Sequence, residues 1–354
     1  MTALKRLLLR QIAAQGPLNV AQYMTLCLLH PEHGYYTTRD PLGAKGDFTT
    51  APEISQIFGE MLGLWMAQVW LDQGAPAPFT LAELGPGRGT LMADILRATA
   101  RVPGFHASAQ LHLVEASRVL QAAQADRLAA HAPQFHSSAE NLPDQPLFLV
   151  ANEFFDALPI RQFQRKGGGW AERMISAQDD SLIFGLAPPT PLAELSHRLA
   201  DTGEDQLVET CAPARPVMEA IATRINAHGG AALIVDYGAW RSRGDTFQAL
   251  RAHEYDDPLA HPGEADLTAH VDFEALAQAA SPLRAAPLTQ QGVFLERLGI
   301  TQRAQTLAQG LSGPALETHI AAHRRLTHPQ EMGQLFKVLA LDPERAPVLP
   351  GFEQ

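Results

Sequence analysis

Two groups of residues in this 354-residue chain carry side chains suited to chemistry. The first is Glu83 with Gly85, Gly87 and Gly89, in the run Phe79-Thr80-Leu81-Ala82-Glu83-Leu84-Gly85-Pro86-Gly87-Arg88-Gly89-Thr90. Glycines at alternate positions let a turn adopt left-handed backbone and bring its N–H groups close to a ligand. An acid two residues ahead of them suits a ligand bearing an ammonium group. The second group is Asn152-Glu153-Phe154-Phe155-Asp156. Its two carboxylates suit a guanidinium, which they hold in one orientation through charged hydrogen bonds. The bland alternatives are a glycine turn without a ligand, Asp156 capping a turn, and Glu153 facing solvent.

Both groups need strands to position them. Phe79–Leu84 is a short run rich in strand formers, and Thr90-Leu91-Met92-Ala93-Asp94-Ile95-Leu96 begins an amphipathic helix, so the glycines fill a strand-to-helix turn. No Lys-Ser or Lys-Thr follows, which excludes a P-loop, and Thr90 stands where a dinucleotide fingerprint needs its last glycine. Gln110–Glu115 reads as the next strand, ending in an acid placed to bond ribose hydroxyls or to sit at the N-terminus of the helix from Ser117. A short third strand follows at 135–137, and Ser138–Leu142 offers polar groups beside an adenine. The apolar run 146–151 is the pattern of a central parallel strand and delivers Asn152 at its carboxyl end, the edge where open α/β sheets bind ligands. The run 231–238 repeats that pattern, with Asp236 and Tyr237 at its end lining a pocket or packing in the core.

The alternating segments between 161 and 185, with turn signals at Lys166-Gly167-Gly168-Gly169 and Asp179-Asp180, predict an antiparallel β insertion. A helix over 214–228 and a closing antiparallel strand over 332–340 complete the pattern. At the start, Leu4–Arg10 is basic and apolar; it reads as the first amphipathic helix, ending at Gly16-Pro17, rather than as a signal peptide. The loop 41–53, dense in glycine and proline, carries Asp47 and has the length of a pocket cover or a surface connection. His270 between Asp266 and Asp272 suggests acid–base work, metal ligation or helix capping.

The formal net charge of −11 leaves no basic surplus to neutralise phosphates, which argues against general nucleic-acid binding. Two isolated cysteines and no HExxH motif give no disulfide framework and no zinc site, so no metal is expected. No stretch approaches transmembrane length.

The Glu83-to-Thr90 motif is similar to the first motif of class I S-adenosylmethionine methyltransferases. The chain as a whole resembles the MidA family of these enzymes. The likeness rests on Tyr23-Met24 with His30–Tyr36, on Gly46–Gln56, on Glu83–Thr90, on Asn152–Pro159, on Asp266–Phe273 and on Met332–Val338. It implies a Rossmann-like, mostly parallel sheet with helices on both faces, an N-terminal helical region over 1–75 with a pocket-covering loop, and a core over 76–354. Insertions at about 161–205 and 239–290 belong to that core, giving one integrated catalytic domain. It also implies S-adenosylmethionine as cofactor, with Gly85, Gly87 and Gly89 against it and Glu115 at its ribose. Glu83 and Asn152 are expected beside them. The family includes a mitochondrial member that dimethylates an arginine on a respiratory complex I subunit, so the implied activity is protein-arginine methylation. A bacterial, cytoplasmic setting is expected, against the mitochondrial matrix for the eukaryotic members. Glu153, Asp156 and Asp47 are assigned to the acceptor pocket on chemical grounds. The rival readings are a non-catalytic assembly factor, a small-molecule methyltransferase and, last, a nicotinamide dehydrogenase.

Overall fold

A computed structural model of the protein describes residues 2–38 and 50–352. Asp47 lies outside the described residues. The chain packs into two compact units. One gathers the described residues of 49–155 with 216–240 and 273–354, the other those of 1–48 with 156–215 and 241–272. The helix 56–72 belongs with the sheet that follows it, while the first 38 residues pack with the β insertion.

The first unit is built on β1 (Phe79–Leu84), β2 (Ala109–Val114), β3 (Gln134–His136), β4 (Leu147–Asn152), β5 (Gly230–Ala239) and β6 (Phe336–Asp342). They lie in the order β3-β2-β1-β4-β5-β6, with the short strand Arg284–Ala285 beyond β6. The first five are parallel, and β6 runs antiparallel to β5 with Ala232 opposite Leu341 and Tyr237 opposite Phe336. Every residue of β1 and β4 is buried, as near-continuous apolar runs in a parallel sheet must be. The winding reverses between β1 and β4, so their carboxyl ends open on a topological switch point. The predicted last strand begins four residues later than expected. Met332–Leu335 is a single helical turn instead, in which Gly333 approaches the Thr327 carbonyl so closely that a Cβ would lie 2.0 Å from it.

Two helices flank the glycine turn: α1 (Gln56–Asp72) and α2 (Thr90–Thr99). They cross closely because α1 presents Gly59 and Gly63; a Cβ on Gly59 would fall 2.5 Å from that of Asp94. Trp70, Phe79, Phe105 and Phe148 interlock nearby at centroid distances of 5.1–5.7 Å. Glu60, buried on α1, accepts hydrogen bonds from Arg97 on α2 and from Arg303 on the helix Ile300–Ala308, each at 2.7 Å. Burial alone would raise its pKa, but the two guanidiniums outweigh it and hold the carboxyl below the usual range.

In the second unit, a helix over Ala3–Gln15 is capped by the Thr2 hydroxyl, which accepts from Lys5 N at 3.0 Å, and stops at Gly16, as its sequence predicts. Its Leu4, Leu8 and Ile12 bury with Ile175 and Leu182 of an antiparallel sheet. That sheet joins Leu18–Asn19, Gly169–Gln178, Arg161–Lys166 and Leu207–Thr210 in this order, with Ser181–Leu186 also paired to Gly169–Gln178. The expected insertion is thus a β element. What the sequence did not announce is that Leu18 and Asn19 pair with Ile175 and Met174 across more than 150 residues. Among the described residues, no helix is long and apolar enough to cross a membrane.

Candidate functional site

The carboxyl edge of the sheet collects polar groups that a folded core rarely tolerates. Glu83, the fifth residue of β1, is buried; it accepts from the Met92 N–H, and its Oε2 has no hydrogen-bond partner among the described residues. Burial, and then the neighbouring charge of Glu115, push its pKa up to about 8. A carboxyl left in this state gains from a cation that arrives with its own N–H donors.

The turn after it is built as the glycine spacing predicts. Gly85, Gly87 and Gly89 have φ of +60°, +54° and +75°, left-handed values that side-chain-bearing residues rarely adopt. Gly85 N donates to the Val114 carbonyl at 3.0 Å, tying the turn to the end of β2, and a Cβ on Gly85 would sit 3.0 Å from the Phe154 ring. Gly89 is the N-cap of α2. The Thr90 hydroxyl then donates to Glu53 Oε1 at 2.6 Å.

Glu115 directly follows β2 and sits at the N-terminus of the next helix, one of its two expected positions. It lies at the sheet edge, and its Oε1 accepts from Ser117 N at 2.7 Å where the helix α3 (Arg118–Arg127) begins. Burial raises its pKa, against the opposing bonds from Ser117, Gln124 and Ala116. Gln124, wholly buried on α3, is a residue the sequence reading missed. Its amide nitrogen donates to the Gly87 carbonyl at 2.6 Å and to Glu115 Oε2 at 3.1 Å, so one side chain clamps the turn to the acid. Its Oε1 is buried without a partner among the described residues. Since the amide nitrogen already faces two acceptors, the orientation of the group is fixed by the network.

Asn152 ends β4. It donates from Nδ2 to Glu153 Oε1 at 3.0 Å and keeps a buried Oδ1 without a partner among the described residues. Glu153 has φ +51°, a strained conformation for a residue with a side chain and one that concentrates at functional sites. Its backbone N–H donates to the Val235 carbonyl at 2.9 Å, and its Oε1 also accepts from Ala51 N at 3.1 Å. Asp236, at the end of β5 and fully buried, was expected as pocket lining; its two oxygens accept from the N–H groups of Phe155 and Tyr237. It therefore fastens the backbone of the acid-bearing segment. Tyr237 packs edge-to-face on Phe336, 5.4 Å between centroids.

Asp156 belongs to the second unit, where it is buried and its carbonyl accepts from Ala269 N at 2.9 Å. In the same unit Tyr36 donates to Asp266 Oδ1 at 2.8 Å, and Asp272 Oδ2 accepts from Ser242 N at 2.9 Å rather than simply capping the next helix. No group of three His, Cys, Asp or Glu placed to hold a metal occurs among the described residues.

The three orphaned acceptors test whether the edge fits the expected cofactor. Glu83 Oε2, Gln124 Oε1 and Asn152 Oδ1 are buried oxygens that require donors. S-adenosylmethionine supplies N–H groups on its ammonium and adenine and O–H groups on its ribose. The donor and acceptor sets are complementary.

Comparison with known proteins agrees. Residues 61–289 match the model of a family of S-adenosyl-L-methionine-dependent methyltransferases. The chain is 38% identical to protein arginine methyltransferase NDUFAF7, mitochondrial, of Xenopus tropicalis, over 97% of this chain and 86% of that one. The human protein of the same name is 37% identical, over 98% and 84%. A crystal structure of a Burkholderia thailandensis protein bound to S-adenosyl-homocysteine superposes with a TM-score of 0.84 at 29% identity, covering 99% of this chain and 95% of that one. The fold is the class I methyltransferase fold, the cofactor is S-adenosylmethionine, and the chain belongs to the MidA-type family of S-adenosylmethionine-dependent methyltransferases that these matches define.

Proposed function

We propose that the protein is a protein-arginine N-methyltransferase, with Glu153 receiving the guanidinium. The observation that carries this reading is the setting of Glu153 at the end of β4. Its backbone is held in a left-handed conformation, and its carboxylate is steered by Asn152 Nδ2 and Ala51 N. A carboxylate so fixed can accept N–H bonds from a planar guanidinium and set its orientation, which is most of what such an enzyme must do. The names of the relatives support arginine as the acceptor. The family resemblance points to a subunit of a respiratory complex as the first partner to try.

Glu83 would hold the cofactor's ammonium, the glycine turn its methionine portion and Glu115 its ribose hydroxyls, with Gln124 keeping turn and acid in register. The bound cofactor supplies a methyl group on a positively charged sulfur. Glu153 also offers the arriving arginine a proton acceptor, which the nitrogen needs once it becomes substituted. Asp156, in the second unit, and Asp47, outside the described residues, are proposed as acceptor carboxylates on chemical grounds alone and are to be tested separately.

The test is methyl transfer from labelled S-adenosylmethionine to arginine-containing protein, followed by identification of the modified side chain. Glu153→Gln should lower transfer by about 100-fold, or roughly 2–3 kcal/mol for a charged hydrogen bond, while S-adenosylhomocysteine binds within twofold of wild type. Equal loss of transfer and binding would remove Glu153 from the acceptor side. Label appearing only on a small molecule would replace the reading with the small-molecule alternative.

A further inference from the structure

The basic first helix plays no part in the site above, yet it forms one wall of a groove. Within the second unit, Arg6, Arg10, Leu7 and Leu9 of the helix Ala3–Gln15 line a cavity of about 510 Å³ together with His33 and Asp180. The helix carries Lys5, Arg6 and Arg10 and no acid, in a chain whose net charge is −11. Arg6 and Arg10 are exposed, and neither takes part in an ion pair or side-chain hydrogen bond among the described residues. Other arginines of the chain are committed to carboxylates, among them Arg97, Arg161, Arg173 and Arg284.

The spacing says what would fit. Residues four apart on a helix share a face and rise by about 6 Å. In an extended peptide, side chains two residues apart point the same way and are separated by about 7 Å. Two carboxylates at positions i and i+2 of an extended segment therefore match the two guanidiniums, each of which can take its partner bidentately. Leu7 and Leu9 give such a segment an apolar floor, and Asp180 favours a cation elsewhere on it. An anionic membrane surface fits less well. The helix spends Leu4, Leu8 and Ile12 in the core of its own unit, leaving no large apolar face to insert, and the site is concave.

We propose that this groove docks an acidic, extended segment of the protein substrate, with two carboxylates two residues apart bonded to Arg6 and Arg10. The inference rests on the reading that the methyl acceptor is a protein. Its test involves no methyl transfer, so the two can fail separately. A fluorescein-labelled serine-rich dodecapeptide containing Glu-Ser-Glu is titrated with the full chain at low salt and followed by anisotropy. Peptides with Gln-Ser-Gln or Glu-Ser-Ser-Glu serve as controls.

Saturable binding is expected, weakened at least tenfold by Arg6→Glu with Arg10→Glu, by the Gln-Ser-Gln peptide, and by raising salt to about 300 mM. The Glu-Ser-Ser-Glu peptide should bind less tightly than Glu-Ser-Glu. Unchanged S-adenosylhomocysteine affinity in the double variant shows that it is folded, and the milder pair Arg6→Gln with Arg10→Gln should weaken peptide binding in the same direction. No binding, binding indifferent to these arginines, or equal binding of the Gln-Ser-Gln peptide overturns the proposal. Arginine-dependent capture of phosphatidylglycerol vesicles without peptide binding overturns it in favour of a membrane surface.

Discussion

Glu83 and Glu60 lie in the same unit and are each 3% exposed, yet their carboxyls are driven in opposite directions. Glu60 sits between Arg97 and Arg303, and both of its oxygens are bonded to guanidiniums. It is a finished structural contact. Glu83 faces another acid, keeps one oxygen without a partner, and is raised to about 8 where Glu60 is lowered. Exposure is the same for both, so exposure alone does not distinguish a site from a scaffold. The difference is that two guanidiniums complete the charge of Glu60, while at Glu83 one oxygen has no partner among the described residues and is where the proposed ammonium contact would fall.

The sharpest way to break this contrast is Glu83→Gln. The affinity for S-adenosylhomocysteine should fall about 100-fold, or roughly 2–3 kcal/mol, while the melting temperature of the cofactor-free protein stays level or rises. Calorimetric binding within threefold of wild type would mean that Glu83 is another buried structural acid. The same carboxyl predicts a pH dependence. A raised acid contributes stability that is present below its unfolded value near 4.5 and is lost as pH rises through about 8. An ammonium ligand needs the carboxylate, so binding near neutrality should release a proton, and affinity should rise by up to about tenfold per pH unit before levelling above 8. A flat profile between pH 6 and 8 contradicts this.

Glu60→Gln is the mirror experiment. It should leave cofactor affinity intact and destabilise the fold by about 1–3 kcal/mol in denaturant melts. That is below the cost of breaking a fully buried pair, because both arginines reach solvent. The smallest expected effect belongs to Gln124→Met, which keeps the volume and removes the donor to Gly87 and Glu115. About 1 kcal/mol, or a five- to tenfold loss of cofactor affinity, is expected. A loss of stability with unchanged affinity would move Gln124 to the scaffold side of the comparison.

How far the sequence reveals this site depends on the distance between partners. Glu83 and the three glycines are neighbours in the chain, and the backbone geometry they impose is local, so their arrangement is readable from spacing. Glu115 and Asn152 are legible because each ends an apolar run, and parallel strands share an edge. Gln124 is not, since its targets are a carbonyl 37 residues away and a carboxylate across a helix turn, and an amide on α3 looks like any other surface residue. The same holds for Arg303, 243 residues from Glu60. The grouping of segments into compact units is hard to read for a related reason. Composition shows where an insertion begins, but only long-range pairing, as of Leu18 with Ile175, shows what it packs against.

The position of β6 has a consequence for the order in which the molecule can be completed on a ribosome. Of the six main strands it is the last to be synthesised, yet it lies inside the sheet between β5 and Arg284–Ala285. Roughly a hundred residues separate the end of β5 from its start. At about 5–20 residues per second, the β5 edge waits some 5–20 s without its neighbour. For that interval the nascent chain offers a nearly all-apolar strand with an unsatisfied ladder, the kind of surface that recruits chaperones or mispairs. The β5 edge is therefore covered only after the last segment of the second unit, ending at Asp272, has been synthesised.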